Sequence, residues 1–201
     1  MILRPVVPLD YPALEALSRD AFWDVYKPGC YEHYLVHLLH EQKACALELV
    51  AEEGGSLIGH AVCVQAQLHV TDGRILTGVL CLGPLTVAPD WQRKGVGSAL
   101  MNRMMALARE QGFRAIFLTG SPAYYGRFGY RSTTDWGITL PDGSAFPELM
   151  ALPLYDGALD GLTATYEDPD IYQNLSREAV EAFDRQFPPR EKHVLPTQIF
   201  S

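Results

Sequence analysis

The chain of 201 residues has no long apolar run. No stretch approaches the ~20 residues needed to cross a bilayer. The N-terminus shows no basic flank followed by an apolar core, the pattern of a signal peptide. A soluble, cytoplasmic protein with no membrane partner is the expectation. Cysteine is sparse: Cys30, Cys45, Cys63 and Cys81 are scattered and form no CxxC pair. That argues against a disulfide framework or a thiolate metal site and for buried free thiols in a reducing compartment. Positive charge is also short, with 16 Lys and Arg against 24 Asp and Glu, a net charge of −8. Non-specific nucleic-acid binding needs basic surface to neutralise phosphates, and no Lys/Arg block is present. Arg93-Lys94 is the clearest local basic spot. The acidic balance is compatible with a cationic or amine substrate, though it mainly reports solubility. There is no internal repeat and no low-complexity segment.

What is present suits one globular domain: 48% of residues are hydrophobic and 20% charged. Met1 to Val7 reads as an edge strand limited by Pro5 and Pro8. Asp10 is placed to N-cap a helix to about Phe22, with Leu14, Leu17 and Ala21 inward. Tyr31 to Gln42 is a second helix with Tyr31, Tyr34, Leu35, Leu38 and Leu39 on one face. His33, His37 and His40 share the opposite face. A pair at i and i+4 can ligate a metal, but a solvated polar face is the preferred reading, and no metal is expected. Ala46 to Glu52 and Leu57 to Leu68 are strands joined by a Gly-Gly turn. Thr71-Asp-Gly73 turns into a third strand that runs to Val87. A helix from Gly95 to Gln111 buries Val96, Leu100, Met104 and Leu107, and Gly112 ends it. Ala115 to Thr119 is then a buried strand, so strand, helix and strand form a βαβ unit with a parallel pair. A short helix about 122–128 follows, then strands from Tyr130, at Ile138 to Leu140 and at Met150 to Leu154. Beyond Gly157 the pattern weakens. Ser176 is placed to cap a helix to about Phe187, stopped by Pro188-Pro189.

The stretch Leu80 to Leu100 organises the chain. Its first half is an apolar strand, and its second half opens a helix at Gly95 and Gly97. Small residues there let backbone N–H groups converge at a helix N-terminus, where free donors and the helix dipole favour a phosphate. A dinucleotide fingerprint would need a third small residue where Leu100 stands, and a P-loop would need a lysine that Gly97-Ser98-Ala99 lacks. The remaining pattern is Gln/Arg-x-x-Gly-x-Gly/Ala, here Gln92-x-x-Gly95-x-Gly97. A second motif, Tyr124-Tyr125-Gly-Arg127-Phe-Gly129-Tyr130, follows after the interval that one helix and one strand occupy.

Together the two motifs resemble those of the GNAT (GCN5-related) N-acetyltransferases. Leu3-Arg4-Pro5 is similar to the family's opening. Leu82-Gly-Pro-Leu-Thr-Val87 is similar to a segment of its predicted bacterial members. The resemblance covers about residues 1–155, so the expected organisation is a GNAT domain over 1–155 and a C-terminal extension, 156–201, packed on it. It implies an α/β (mixed α+β) fold with a mostly antiparallel central sheet, helices on both faces and a parallel pair splayed between strands four and five. Acetyl-CoA would lie in the gap as co-substrate. Leu85, Thr86 and Val87 would pair with its pantetheine arm, and a backbone N–H at Leu85 or Val87 would steady the thioester oxygen. Gln92, Arg93, Lys94, Gly95, Val96, Gly97 and Ser98 would hold its pyrophosphate. Arg127 would meet a phosphate or merely a surface carboxylate.

The implied reaction is direct attack of a neutral amine on the acetyl carbonyl. Tyr125 would be the general acid, protonated at neutral pH by its ordinary pKa near 10; the bland alternative is a packed aromatic. Tyr124 and Phe128 read as packing residues. The general base stays open, with Glu32, His33 and His69 as candidates. Acceptors range from small amines to peptides, and a homodimer stays open. Rival readings are an acyltransferase using another acyl-CoA or a hydroxyl acceptor, and a CoA-binding regulatory or adaptor module without turnover.

Overall fold

Fifteen helices and strands follow one another along the described part of the chain, which in this computed structural model is residues 1–173 and 175–198. They are β1 (Ile2–Pro5), α1 (Tyr11–Phe22), α2 (Glu32–Glu41), β2 (Cys45–Glu53), β3 (Ser56–Val70), β4 (Ile75–Val87), α3 (Val96–Glu110) and β5 (Ala115–Thr119). After these come α4 (Pro122–Tyr125), β6 (Arg131–Ser132), β7 (Ile138–Thr139), β8 (Leu149–Pro153), β9 (Ala164–Tyr166), α5 (Asp170–Gln173) and α6 (Arg177–Asp184). One sheet has the order β1-β2-β3-β4-β5-β8-β6, with β9 attached to β3 and β7. Its pairs are antiparallel except β4–β5 and the short β7–β9 pair.

Alternation along β3 explains why helices cover both faces. Ala61 and Cys63 join Leu100, Met101 and Met104 of α3. Val62 and Val64 point the other way, onto Leu35 and Leu39 of α2. The methionine row of α3 is therefore core. That helix ends as its glycine dictates: Gly112 has φ +77, its N–H donates to Arg109 C=O, and Phe113 N–H reaches back to Ala108 C=O. The pair of bonds is a Schellman cap, which only a residue tolerant of the left-handed region closes cheaply.

Two expectations are corrected. Asp10 does not cap α1; its own backbone is helical and its carboxylate turns back to Val7 N–H (2.9 Å) and Arg4 Nη1 (2.7 Å). A half-buried ion pair with Arg4 holds the carboxylate away from the start of α1. The histidine face of α2 is not solvated: His33 and His40 are buried, and His37 is half-buried. His33 is enclosed by Phe183 and Phe187 and lies 3.3 Å from Asp184, while His37 Nδ1 pairs with Glu15 at 2.9 Å. The C-terminal segment supplies the cover. Besides Ser176, which does cap α6 by accepting from Ala179 N–H, that region contains β9, a strand with no local pattern to announce it. Arg19 of α1 binds Asp184 at 2.6 Å and Pro188 C=O at 3.1 Å, and Trp23 Nε1 donates to Glu191 C=O.

This burial makes stability depend on pH. Desolvation holds the His33 pKa down at about 4, against an ordinary 6.5, although Asp184 pulls it upward. The unfolded chain therefore takes up the proton first as pH falls, and the contribution is complete above 6.5 and lost progressively towards 4. Denaturant titrations should show stability falling by about 2–3 kcal/mol across that window. His33→Leu should flatten the decline; a parallel decline in the variant would assign it elsewhere.

Candidate active site

Parallel strands β4 and β5 pair only at Val79–Ala115, Leu80–Ile116 and Cys81–Phe117. Beyond Cys81 they diverge, leaving Leu82–Val87 paired on one side with β3. The β3–β4 register slips between Ala61–Leu85 and Cys63–Leu82, which places an extra residue at Gly83-Pro84. Proline has no N–H to lose there, and such a bulge bends the strand beside a site. A cavity of about 650 Å³ fills the gap. Leu82 to Leu85 form one wall, and Thr119 to Pro122 with Tyr125 form the other.

The helix N-terminus lies at the end of β4. Gln92, Arg93 and Lys94 are exposed, and Gln92 Nε2 donates to Val87 C=O at 3.3 Å. Arg93 has φ +59, uncommon for a residue with a side chain, and Gly95 has φ +89 with no side-chain cap on α3. The first helical bond runs from Ala99 N–H to Gly95 C=O, so the N–H groups of Val96, Gly97 and Ser98 precede the ladder. Gly97 makes room for Tyr124 beside the loop: a Cβ there would lie 2.8 Å from Tyr124 Oη and 3.5 Å from Val87 Cγ2. Arg127 Nη2 donates to Ser98 Oγ at 3.1 Å, and its guanidinium lies 4.1 Å from the Tyr124 ring centroid. Uncapped donors, an exposed cationic pair and a nearby guanidinium fit a diphosphate. Leu85 and Val87 pack on the α3 side, whereas Thr86 is buried towards α1, with Oγ1 3.3 Å from Ser18 Oγ.

Tyr125 is held by its neighbours. Its ring meets Tyr124 edge-on at 4.9 Å and Tyr130 at 5.8 Å. A Cβ on Gly120 would lie 2.4 Å from Tyr125 Cε2, so the ring rests directly on the glycine backbone. Burial, with smaller contributions from the Tyr26 and Tyr124 hydroxyls, pushes the Tyr125 phenol well above its ordinary 10. A phenol in that state is a proton donor throughout the physiological range.

Residues 13–130 match the model of the acetyltransferase (GNAT) family. The chain belongs to the GNAT acetyltransferases. It is 27% identical over 168 residues, 83% of its own length and 95% of the relative's, to the uncharacterized N-acetyltransferase YhbS of Escherichia coli strain K12. A crystal structure of Escherichia coli YhbS in complex with CoA superposes with a TM-score of 0.77 at 26% identity, over 87% of this chain and 93% of that one. A GNAT acetyltransferase from Brucella melitensis in complex with acetyl-CoA gives 0.60 at 29% identity, over 79% and 97%. The mixed sheet with its parallel β4–β5 pair is thus the GNAT fold of these neighbours.

Several GNAT cavity residues were not legible beforehand. Phe22 and Tyr26 come from the end of α1 and the loop after it, and Asp168 and Tyr172 come from beyond the family match. Of the three base candidates, only Glu32 lines the cavity. His33 is enclosed by α6, and His69 lies in a separate hollow with Gln67 and Thr77. The second buried histidine belongs to another cluster: His40 and His60 each place Nε2 on Glu48 Oε1, at 2.7 and 2.8 Å. Burial would raise the Glu48 pKa, but these bonds hold it at about 2. With Cys45 nearby the group has metal-ligand composition. However, Nδ1 of both histidines is buried without a partner among the described residues, whereas metal-bound imidazoles direct their other nitrogen to an acceptor. The cluster fits two imidazole Nε2–H groups donating to one carboxylate.

Proposed function

We propose that this GNAT protein is a cytoplasmic enzyme that transfers the acetyl group of acetyl-CoA to a primary amine by direct attack. The divergence of β4 and β5 carries this reading: Leu85 and Tyr125 line the cavity there, and a Cβ on Gly97, at the uncapped start of α3, would lie 4.0 Å from Leu85 Cδ2. The CoA and acetyl-CoA complexes of the two structural neighbours support the choice of donor.

Acetyl-CoA supplies a thioester carbonyl that is already activated. The loop from Gln92 to Ser98 would bind its pyrophosphate, with Arg127 alongside, and Leu85 to Val87 would align the arm. A backbone N–H of Leu85 or Val87 would stabilise the oxyanion. The neutral amine nitrogen attacks the carbonyl carbon; a C–N bond forms and the C–S bond breaks. Tyr125 gives its proton to the departing sulfur. The proton that the amine must shed passes to water or to Glu32, one of the carboxylates that line the cavity.

Two measurements test this. Acetyl-CoA should raise the melting temperature, since a ligand of the folded state alone stabilises by mass action, about 2.7 kcal/mol at a hundred times Kd. Free thiol should then appear when an amine panel is added. No thermal shift at millimolar acetyl-CoA would refute the reading.

A further inference from the structure

The segment that closes the cavity lies beyond the residues matched by the family model. β9 pairs with Leu68 to Val70 of β3 and carries the following turn over the open part of the sheet. Phe117 of β5 and Tyr166 of β9 stack at 4.6 Å with an interplanar angle of 8°, which fixes the segment against the sheet floor. Tyr166 Oη donates to Asp168 Oδ1 at 3.0 Å, and among the described residues Oδ2 has no hydrogen-bond partner. One oxygen is anchored and the other is left for a ligand. Tyr172 closes over β4, and Gly83 makes room for it: a Cβ there would lie 2.8 Å from Tyr172 Oη. That hydroxyl is buried and makes no hydrogen bond to an oxygen or nitrogen among the described residues; the Cys81 thiol lies beside it. A thiol is a weak partner, so a ligand that offers a stronger one recovers free energy.

The charge of the lining has one sign. Glu32, Glu148 and Asp168 face the cavity together with the rings of Phe22, Tyr26, Tyr125 and Tyr172, and among the described residues no Lys, Arg or His lines it. Carboxylates beside aromatic faces favour a cation by Coulomb attraction and cation–π contact, and they repel a carboxylate on the ligand. Asp168 also borders an adjoining hollow of about 280 Å³ lined by Gln65, Gln67, His69, Thr77 and Glu167. The carboxylate thus stands where a ligand reaching from Tyr125 would leave the cavity.

We propose that Asp168 and Tyr172 select the acceptor, and that it is an amine bearing a second positive charge and no carboxylate. This rests on the acetyltransferase reading. Three probes of similar length isolate the second charge: putrescine, n-butylamine and γ-aminobutyrate end in a cation, a methyl group and an anion. Their Kd values for the CoA-loaded protein are measured by calorimetry, and their turnover by thiol release. Putrescine should bind roughly tenfold more tightly than n-butylamine, and γ-aminobutyrate roughly tenfold more weakly. Asp168→Asn keeps an oxygen for Tyr166 and should bring the putrescine-to-butylamine ratio close to one, while Asp168→Glu should preserve most of it. Tyr172→Phe should weaken all three probes.

Binding of γ-aminobutyrate as tight as that of n-butylamine would overturn the proposal. So would an unchanged ratio in Asp168→Asn, or no binding by any probe to a protein that binds CoA. Failure to bind acetyl-CoA at all would overturn the acetyltransferase reading itself, which separates the two failures.

Discussion

Tyr125→Phe is expected to lower kcat by roughly a hundredfold, the lower end of what a positioned acid contributes. The Kd for acetyl-CoA should change less than about threefold, because the ring contacts remain. Its edge-on contacts with Tyr124 and Tyr130, and its seat on Gly120, involve carbon atoms that phenylalanine retains. The fold is therefore expected to survive, and single-turnover thiol release measures the loss directly. The pH profile adds a second readout. Since burial raises the phenol pKa above its ordinary value, the alkaline limb of kcat in the wild type should not be set by a group near 10. A Tyr125→Phe enzyme with unchanged turnover would remove the phenol from the mechanism and leave protonation of the thiolate to water.

Gly97→Val is expected to weaken acetyl-CoA binding by at least about tenfold. The Cβ would already lie 2.8 Å from Tyr124 Oη and 3.5 Å from Val87 Cγ2, so the two further methyl groups must displace Tyr124 or shift the loop backbone beside it. The damage is local, because the start of α3 is held by Val96 and Leu100 packed in the core and not by its glycines. Isothermal titration with acetyl-CoA measures the affinity, and the melting temperature of the free protein reports the fold. Normal affinity in a folded variant would place the diphosphate elsewhere. Gly59 offers the contrast: a Cβ there would strike Val96 Cγ1 at 2.7 Å and Leu100 Cδ1 at 2.9 Å, so substitution there should act on stability first.

The elements that place the glycine loop and Tyr125 follow from short-range rules, so they are legible in the chain. The apolar stripe of α3, the Schellman cap at Gly112, the proline start of α4 and the left-handed Gly95 all depend on neighbours within a few residues. Backbone sterics and helical periodicity act over that distance. The splay of β4 from β5 was expected only through the family resemblance, since local pattern does not say where two paired strands separate.

Legible from the residues alone were therefore the order of the elements as far as β8, the position of the turn before α3 and the candidate phenol. The tertiary structure decided which polar side chains are buried and which residues close the cavity. His33 and His40 share a helix face that reads as polar, yet contacts from α6 and from Tyr11 bury them. Asp168 and Tyr172 reach the cavity because β9 pairs with β3, far away in the chain, and because Gly83 has no side chain in the way. Pairing across such separations is chosen by the packing energy of the assembled sheet, and that energy exists only after distant segments meet.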